Sequence, residues 1–345
     1  MPTPSSRPTP PTGWQAARRS LLALAAFGLA GAGSQAMAQP ATPGWPAKPL
    51  RLVVGFPAGS SPDLTARTFS EPLSQALGQP VVVENKVGAG GNIAADAVAK
   101  ATDGHTIGLF INGNLTIAKL LNPQVPYDPA RDLAPLSLIG VSPLVLTAAV
   151  GQKDVPAEGD ARAFLAAARQ AGDRWSYGTP GVGTVGHLGT ELLKARTGIN
   201  PVHVPYPGYP QVATAMGGGL LQMALLPPAL ALSQERAGKL KRVAVTSAGR
   251  STLAPEVPSL SEAGVQDLQL EIWNAFAAPA SMPPAVRARL SATLAEITRS
   301  PEVRSKLFTQ GWQAVGSSAE GLANRMRQDT AAMARVIREQ KISAQ

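Results

Sequence analysis

Residues 50–67 read LRLVVGFPAGSSPDLTAR, and the way this stretch folds sets the architecture around it. Leu50, Arg51, Leu52, Val53 and Val54 form a mainly apolar run of strand length. Gly55, Phe56, Pro57, Ala58, Gly59, Ser60 and Ser61 follow, a turn of residues that either tolerate unusual backbone angles or fix them. Pro62 then stands at the first helical position, with Ser61 before it as N-cap and Asp63 just inside. Such a turn points several backbone N–H groups at one spot, and the helix dipole favours negative charge there. The stretch predicts an α/β unit with a seat for a carboxylate or phosphate. Many α/β turns hold nothing, so the rest of the chain must decide.

Downstream the same unit recurs. A helix over 62–77, with Leu64, Phe69, Leu73 and Leu77 toward one face, stops at Gly78. A β-branched strand over 80–85 leads to the turn Gly88-Ala89-Gly90-Gly91-Asn92 and a helix over 93–101. A third strand, 106–111, ends in Asn112-Gly113-Asn114. Strands alternating with helices make βαβ units with right-handed crossovers, and ligands bind outside the carboxyl ends of such strands. Asn112 and Asn114 read either as binding residues or simply as turn formers. Asp63 reads as a first-turn acid favoured by the dipole, or as the receiver of a ligand ammonium.

After an apolar strand over 144–150 the pattern restarts. Tyr177-Gly178 leads into Thr179-Pro180-Gly181-Val182-Gly183-Thr184-Val185-Gly186-His187 and a helix. Short strands follow near 202–204, 220–226 and 242–246, then a return strand over 268–276. The C-terminus reads as three helices, the last opened by the capping box Ser317-Ser318-Ala319-Glu320 with Leu322, Met326, Met333 and Ile337 inward. The expected architecture is α/β and two-lobed, with two mostly parallel sheets flanked by helices and a ligand cleft between the lobes. The first lobe takes residues 39–147 and 270–345, and the second takes 148–269. Two lobes that each present a Gly-rich helix N-terminus suggest a clamp.

Composition narrows the chemistry. The chain has 345 residues, no cysteine and a net charge of +9. Disulfides, thiolate metal sites and a cysteine nucleophile are thereby excluded. The cations are scattered, without the clustering of a nucleic-acid footprint. Arg18-Arg19, the apolar stretch 21–30 and Ala36-Met37-Ala38 form an export signal over residues 1–38 with cleavage near Ala38. The apolar stretch is too short to span a bilayer. Either the general secretory or the twin-arginine route would suit it, and both imply a periplasmic protein.

Catalytic constellations fail on spacing. Gly181-Val182-Gly183-Thr184-Val185-Gly186 matches a dinucleotide fingerprint, but residues 200–234 hold no acid for a ribose. The loop is better suited to hold an anion with backbone N–H groups. His105, His187 and His203 lack metal-ligand spacing. A nucleophilic set of Ser60 or Ser61, His187 and Asp63 has no support in the spacing. No cofactor, metal or catalytic residue is expected.

These motifs, taken in order, resemble a family. Gly55 to Arg67 is similar to its opening P-F-x-x-G-G-x-x-D-x-x-A-R. The run Gly78 to Lys86 with Gly88-Ala89-Gly90-Gly91 follows, then Asp103-Gly104-His105-Thr106 and Pro126-Tyr127-Asp128-Pro129. Tyr177-Gly178-Thr179-Pro180-Gly181-Val182-Gly183 with His187-Leu188, His203-Val204-Pro205-Tyr206 with Gly208, and Pro258 to Gly264 complete the series. The chain resembles the Bordetella uptake gene (Bug) family, solute-binding receptors of tripartite tricarboxylate transporters. The resemblance implies a clamshell, the periplasmic-binding-protein or Venus flytrap fold. It would be a monomer that closes on a small organic anion (a mono-, di- or tricarboxylate or an amino acid) and delivers it to the transporter's membrane subunits, without catalysis. The binding residues it implies are Phe56, Pro57, Ala58, Gly59, Ser60, Ser61 and Asp63 on one lobe, with Asn112 and Asn114 at a third loop. On the other lobe they are Thr179, Gly181, Gly183, His187 and Tyr206. Ser60 and Ser61 replace two family glycines, so side chains stand where bare backbone meets the solute. An exported sensor or scaffold that binds a partner protein, or an exported hydrolase, are the alternatives.

Overall fold

Residues 50–54 form strand β1 (Leu50–Val54), and the chain turns at 55–60 into helix α1 (Ser61–Leu77). The computed structural model describes residues 44–152, 154–156, 160–339 and 342. The export signal predicted over 1–38 lies outside the described residues. The N-cap of α1 is Ser60 rather than Ser61, and Gly78 closes the helix in the left-handed region at φ 72°. The face of α1 turned inward carries Ala66, Phe69, Leu73 and Leu77, whereas Leu64 is 42% exposed. Phe69 meets Phe276 edge-on at 5.2 Å, which fixes α1 against the sheet.

The first lobe is built on a six-stranded sheet. Its strands are β1, β2 (Val81–Asn85), β3 (Thr106–Ile111), β4 (Leu133–Pro143), β10 (Glu271–Pro279) and β11 (Gln313–Ala314), in the order β11-β4-β10-β3-β1-β2. Helix α2 (Asn92–Ala99) connects β2 toward β3. The second lobe's five-stranded sheet runs β7-β6-β8-β5-β9. Its strands are β5 (Val145–Ala149), β6 (Ser176–Thr179), β7 (Val202–Pro205), β8 (Met223–Leu226) and β9 (Leu240–Val245). Helices α3 (Ala161–Ala171), α4 (Val185–Thr197), α5 (Tyr209–Gly217) and α6 (Pro228–Arg236) flank it, and α7 (Pro284–Arg299), α8 (Pro301–Thr309) and α9 (Ala319–Glu339) end the chain. Both α7 and α9 pack on β4 of the first sheet.

Both sheets are mixed, where the sequence pattern suggests mostly parallel ones. Each has a parallel trio, β2-β1-β3 and β7-β6-β8. Beside each trio lies an antiparallel strand that has crossed from the other lobe, β10 or β5. A strand that enters from the opposite lobe runs against the βαβ strands it joins, so each crossing necessarily mixes the sheet. β4 escapes the sequence reading because Pro135, Gly140 and Pro143 interrupt it and it is buried on both faces, which erases the alternating pattern.

The chain crosses between lobes twice, at Leu144 and between β9 and β10. Thr246, fully buried, ties the crossings together. Its hydroxyl accepts from the Leu144 N–H at 2.9 Å and donates to the Leu270 carbonyl at 2.7 Å. Its own N–H donates to the Leu144 carbonyl at 2.9 Å, and its carbonyl accepts from the Leu270 N–H at 3.0 Å.

Candidate functional site

The turn after β1 is held by one carboxylate. Asp63, 1% exposed, accepts from the Gly59 N–H at 2.9 Å and from Arg67 Nε at 3.0 Å through one oxygen. Its other oxygen accepts from Asn85 Nδ2 at 2.9 Å, and the same Asn85 amide donates to the Phe56 carbonyl. Burial alone would raise this carboxyl, but the bonds from Arg67, Gly59 and Asn85 together hold it below its ordinary value. Asp63 therefore shapes the turn, with both oxygens committed to it. Pro57 accepts from the Ser60 N–H at 3.1 Å, which tightens the same turn, while Ala58 and Gly59 stand exposed at its tip.

Ser60 itself is different. It is buried, its side chain makes no capping bond to α1, and its Oγ has no hydrogen-bond partner. It lines a small cavity of about 30 Å³ between the lobes. From the first lobe Phe56, Ser61, Pro62, Ile111, Ile272 and Trp312 share that wall. From the second come Pro180, Thr184, Val185, Tyr209 and Pro227. The cavity is thus flanked by the N-termini of α1 and α4, one from each lobe. The first backbone N–H groups of a helix have no partner within it, and both dipoles make this space favourable to an anion.

On the second lobe the loop between β6 and α4 is braced from behind. Thr179 Oγ1 accepts from the Gly181 N–H at 3.1 Å and lies 2.7 Å from His203 Nε2. The His203 ring stacks on Tyr177 with centroids 4.9 Å apart and sits 4.6 Å from the His187 ring. Tyr177 donates to Glu191, which also pairs with Lys194. Burial, and then the neighbouring His187, push His203 down to about 4, and burial lowers His187 as well. Both rings are neutral near pH 7. His187 packs behind the loop and does not border the cavity.

Other residues predicted for the site line neighbouring spaces or brace their loops. Gly181, Gly183 and Tyr206 line a larger groove of about 480 Å³ between the lobes, facing Gly88, Gly90 and Asn92. Pro180 borders both groove and cavity. The groove is the roomier space, but the buried, unpartnered Ser60 hydroxyl belongs to the cavity. Asn114 donates to the Gly90 carbonyl at 2.9 Å and to Asn92, and so holds the second Gly-rich turn. Asn112 donates to the Glu271 carbonyl at 2.9 Å and lines a third cavity beside the lobe crossing. Of the predicted residues, the structure brings Phe56, Ser60 and Ser61 to the small cavity. The sequence reading missed Trp312, Ile272, Tyr209 and Pro227 as wall residues. Each arrives from a distant segment and carries no local signal, although Tyr209 does open a helix after Gly208.

The lobes touch through glycines. A methyl group on Gly113 would lie 2.9 Å from the Gly183 carbonyl oxygen, and one on Gly90 would lie 3.2 Å from that of Val182. Gly90 and Gly181 also meet backbone to backbone, both with positive φ. The hydrolase arrangement is not assembled, since Asp63 is bonded to Gly59, Arg67 and Asn85 and His187 packs at a tilt against His203. Among the described residues no group of three His, Cys, Asp or Glu could hold a metal, and no helix is long and apolar enough to cross a membrane.

A family model described as the tripartite tricarboxylate transporter family receptor matches residues 65–342. The chain belongs to that family. This receptor is 37% identical over 299 residues to a UPF0065 protein of Bordetella bronchiseptica, covering 86% of this chain and 84% of the relative. The periplasmic binding protein BugD superposes with a TM-score of 0.81 at 27% identity, over 87% of this chain and 100% of that one. An R. palustris protein solved with adipate gives a TM-score of 0.82 at 29% identity, over 87% and 99%. The two-lobed periplasmic-binding-protein fold is shared, and the family is one of receptors rather than enzymes.

Proposed function

We propose that this receptor is an exported, periplasmic solute-binding protein that captures a small carboxylate-bearing solute by closing its two lobes on it. The observation that carries the reading is the small inter-lobe cavity where the N-termini of α1 and α4 meet beside the unpartnered Ser60 hydroxyl. Family membership and the adipate held by a relative support the carboxylate class. At about 30 Å³ the cavity accepts about two waters, so a solute enters with the lobes parted and is enclosed afterwards. Contacts made to both lobes favour the closed form, because only differential affinity shifts a conformational equilibrium. The protein acts as a monomer without a cofactor and hands its solute to the membrane subunits of a tripartite transporter. The residues of the seat are Phe56, Ser60 and Ser61 with the α4 end at Thr184, while Asp63, Asn114, Thr179 and His187 hold the loops in place.

A thermal-shift screen of the purified, ligand-free protein against mono-, di- and tricarboxylates tests this. A solute at about a hundred times its dissociation constant adds about 2.7 kcal/mol to stability, which appears as a clear rise in melting temperature. If folded protein shows no shift with any carboxylate, the reading fails and a partner-binding role takes its place.

A further inference from the structure

We propose that the cavity beside the lobe crossing is a second ligand site, separate from the solute seat, and that it takes a small primary ammonium ion with a short aliphatic body. The cavity measures about 400 Å³, room enough for a small molecule. Asn112 and Thr116 wall it after β3, Ser247 and Glu271 at the crossing, and Arg325 and Asp329 on α9. Among the described residues it shares only Val185 with the small cavity at Ser60, and none with the larger groove.

The groups left over in this wall are acceptors. Asn112 is 5% exposed, and its Oδ1 has no hydrogen-bond partner. Its Nδ2 donates to the Glu271 carbonyl at 2.9 Å, which fixes the orientation of the amide and leaves the oxygen over. The Glu271 carboxylate accepts from Arg325 Nη2 through Oε2 at 3.2 Å, while Oε1 is bonded to no described residue. Arg325 turns its Nε to both oxygens of Asp329, at 2.9 and 3.0 Å, and Asp329 also accepts from Trp273 Nε1 at 2.7 Å. Two carboxylates against one guanidinium leave the wall one negative charge. A primary ammonium answers that charge and brings three donors for the acceptors at Asn112 and Glu271. A carboxylate would face both acids instead. Ile117, Leu270, Ala332 and Met333 supply apolar surface for a short alkyl chain. An occupant touches Asn112 on one lobe and Val185 on the other, so it favours the lobe arrangement that holds both.

Titration of the purified protein with butylammonium chloride at low ionic strength tests the proposal, beside tetramethylammonium chloride and butan-1-ol. Isotope labelling of the methionine methyl groups reports the place by NMR, because Met333 lines the cavity. Its signal is identified by its loss in Met333→Leu. Butylammonium should shift that signal saturably in the wild-type protein. Tetramethylammonium, which has the charge but no N–H, and butan-1-ol, which has the chain but no charge, should each act about tenfold or more weakly. Glu271→Gln, at a partly exposed side chain, should weaken butylammonium by a similar factor. The ranking of the three probes on wild-type protein decides even if the variant does not fold. No saturable shift with butylammonium overturns the proposal, and so does an equal response to either of the other probes. Butylammonium affinity that is unchanged in folded Glu271→Gln overturns it likewise. The receptor reading is decided by the carboxylate screen and is untouched by these results.

Discussion

A buried hydroxyl with no partner is uncommon in a protein interior, since each such group gives up its hydration for nothing. Under the proposed function, a bound solute would supply the partner that Ser60 lacks. Its neighbour Asp63 illustrates the opposite case, a carboxylate satisfied entirely by its own turn. Asp63→Ala frees the Gly59 N–H, the Asn85 amide and Arg67 together. It should lower stability by about 1–3 kcal/mol in urea denaturation, and it should weaken solute binding because the Ser60 turn loosens. The two adjacent histidines carry a pH signature. Their folded-state affinity for protons lies below the ordinary histidine value of 6.5, with His203 near 4. The unfolded chain therefore binds more protons between these limits, so stability is full above about pH 6.5 and is lost as pH falls toward 4. Melting temperature measured across that window should fall, and His203→Gln should flatten the decline. The turn that holds Ser60 and Asp63 was legible in the sequence because both lie in one short motif. Trp312, Ile272 and Tyr209 were not, because only the folded chain brings these distant segments, the nearest at Tyr209 and the farthest at Trp312, to the wall beside Ser60.

Among the elements, the two helices at the cavity have opposite N-terminal chemistry. α4 is capped by Thr184, and α1 is uncapped at Ser60. Thr184→Ala should cost about 1 kcal/mol, as N-cap removal does, read from denaturant melts of the ligand-free protein. Ser60→Ala should cost far less in the same assay, since no capping bond is lost. The helices and parallel strands could be read from apolar spacing and Gly or Pro punctuation, including the inward stripe at Leu322 and Met326. β4 could not, because full burial removes the period-two pattern. Leu64 satisfies helical spacing but points to the rim of the cleft, since spacing gives a face only to within a wide arc.

For the molecule as a whole, the two lobes are joined by two crossings tied together at Thr246. Thr246→Val leaves the Leu144 N–H and the Leu270 carbonyl without the hydroxyl they share. Loss of about 1–3 kcal/mol per buried unsatisfied group should appear in denaturation, with faster hydrogen exchange at Leu144. If the lobes close as proposed, the limit of that closure lies at the glycines. Gly113→Ala would set a methyl 2.9 Å from the Gly183 oxygen, so this variant should fold but fail to close. Small-angle scattering should show no compaction with solute, and affinity should drop by about tenfold or more. Backbone meeting backbone has a further effect, because neither side carries a flexible side chain that could yield and settle part-way. Solutes of somewhat different size therefore do not grade the degree of closure; each either permits the glycines to meet or does not. Under the proposed function, a membrane partner that docks on the shut form would receive a yes-or-no signal, with discrimination made before docking and none left for the partner to make.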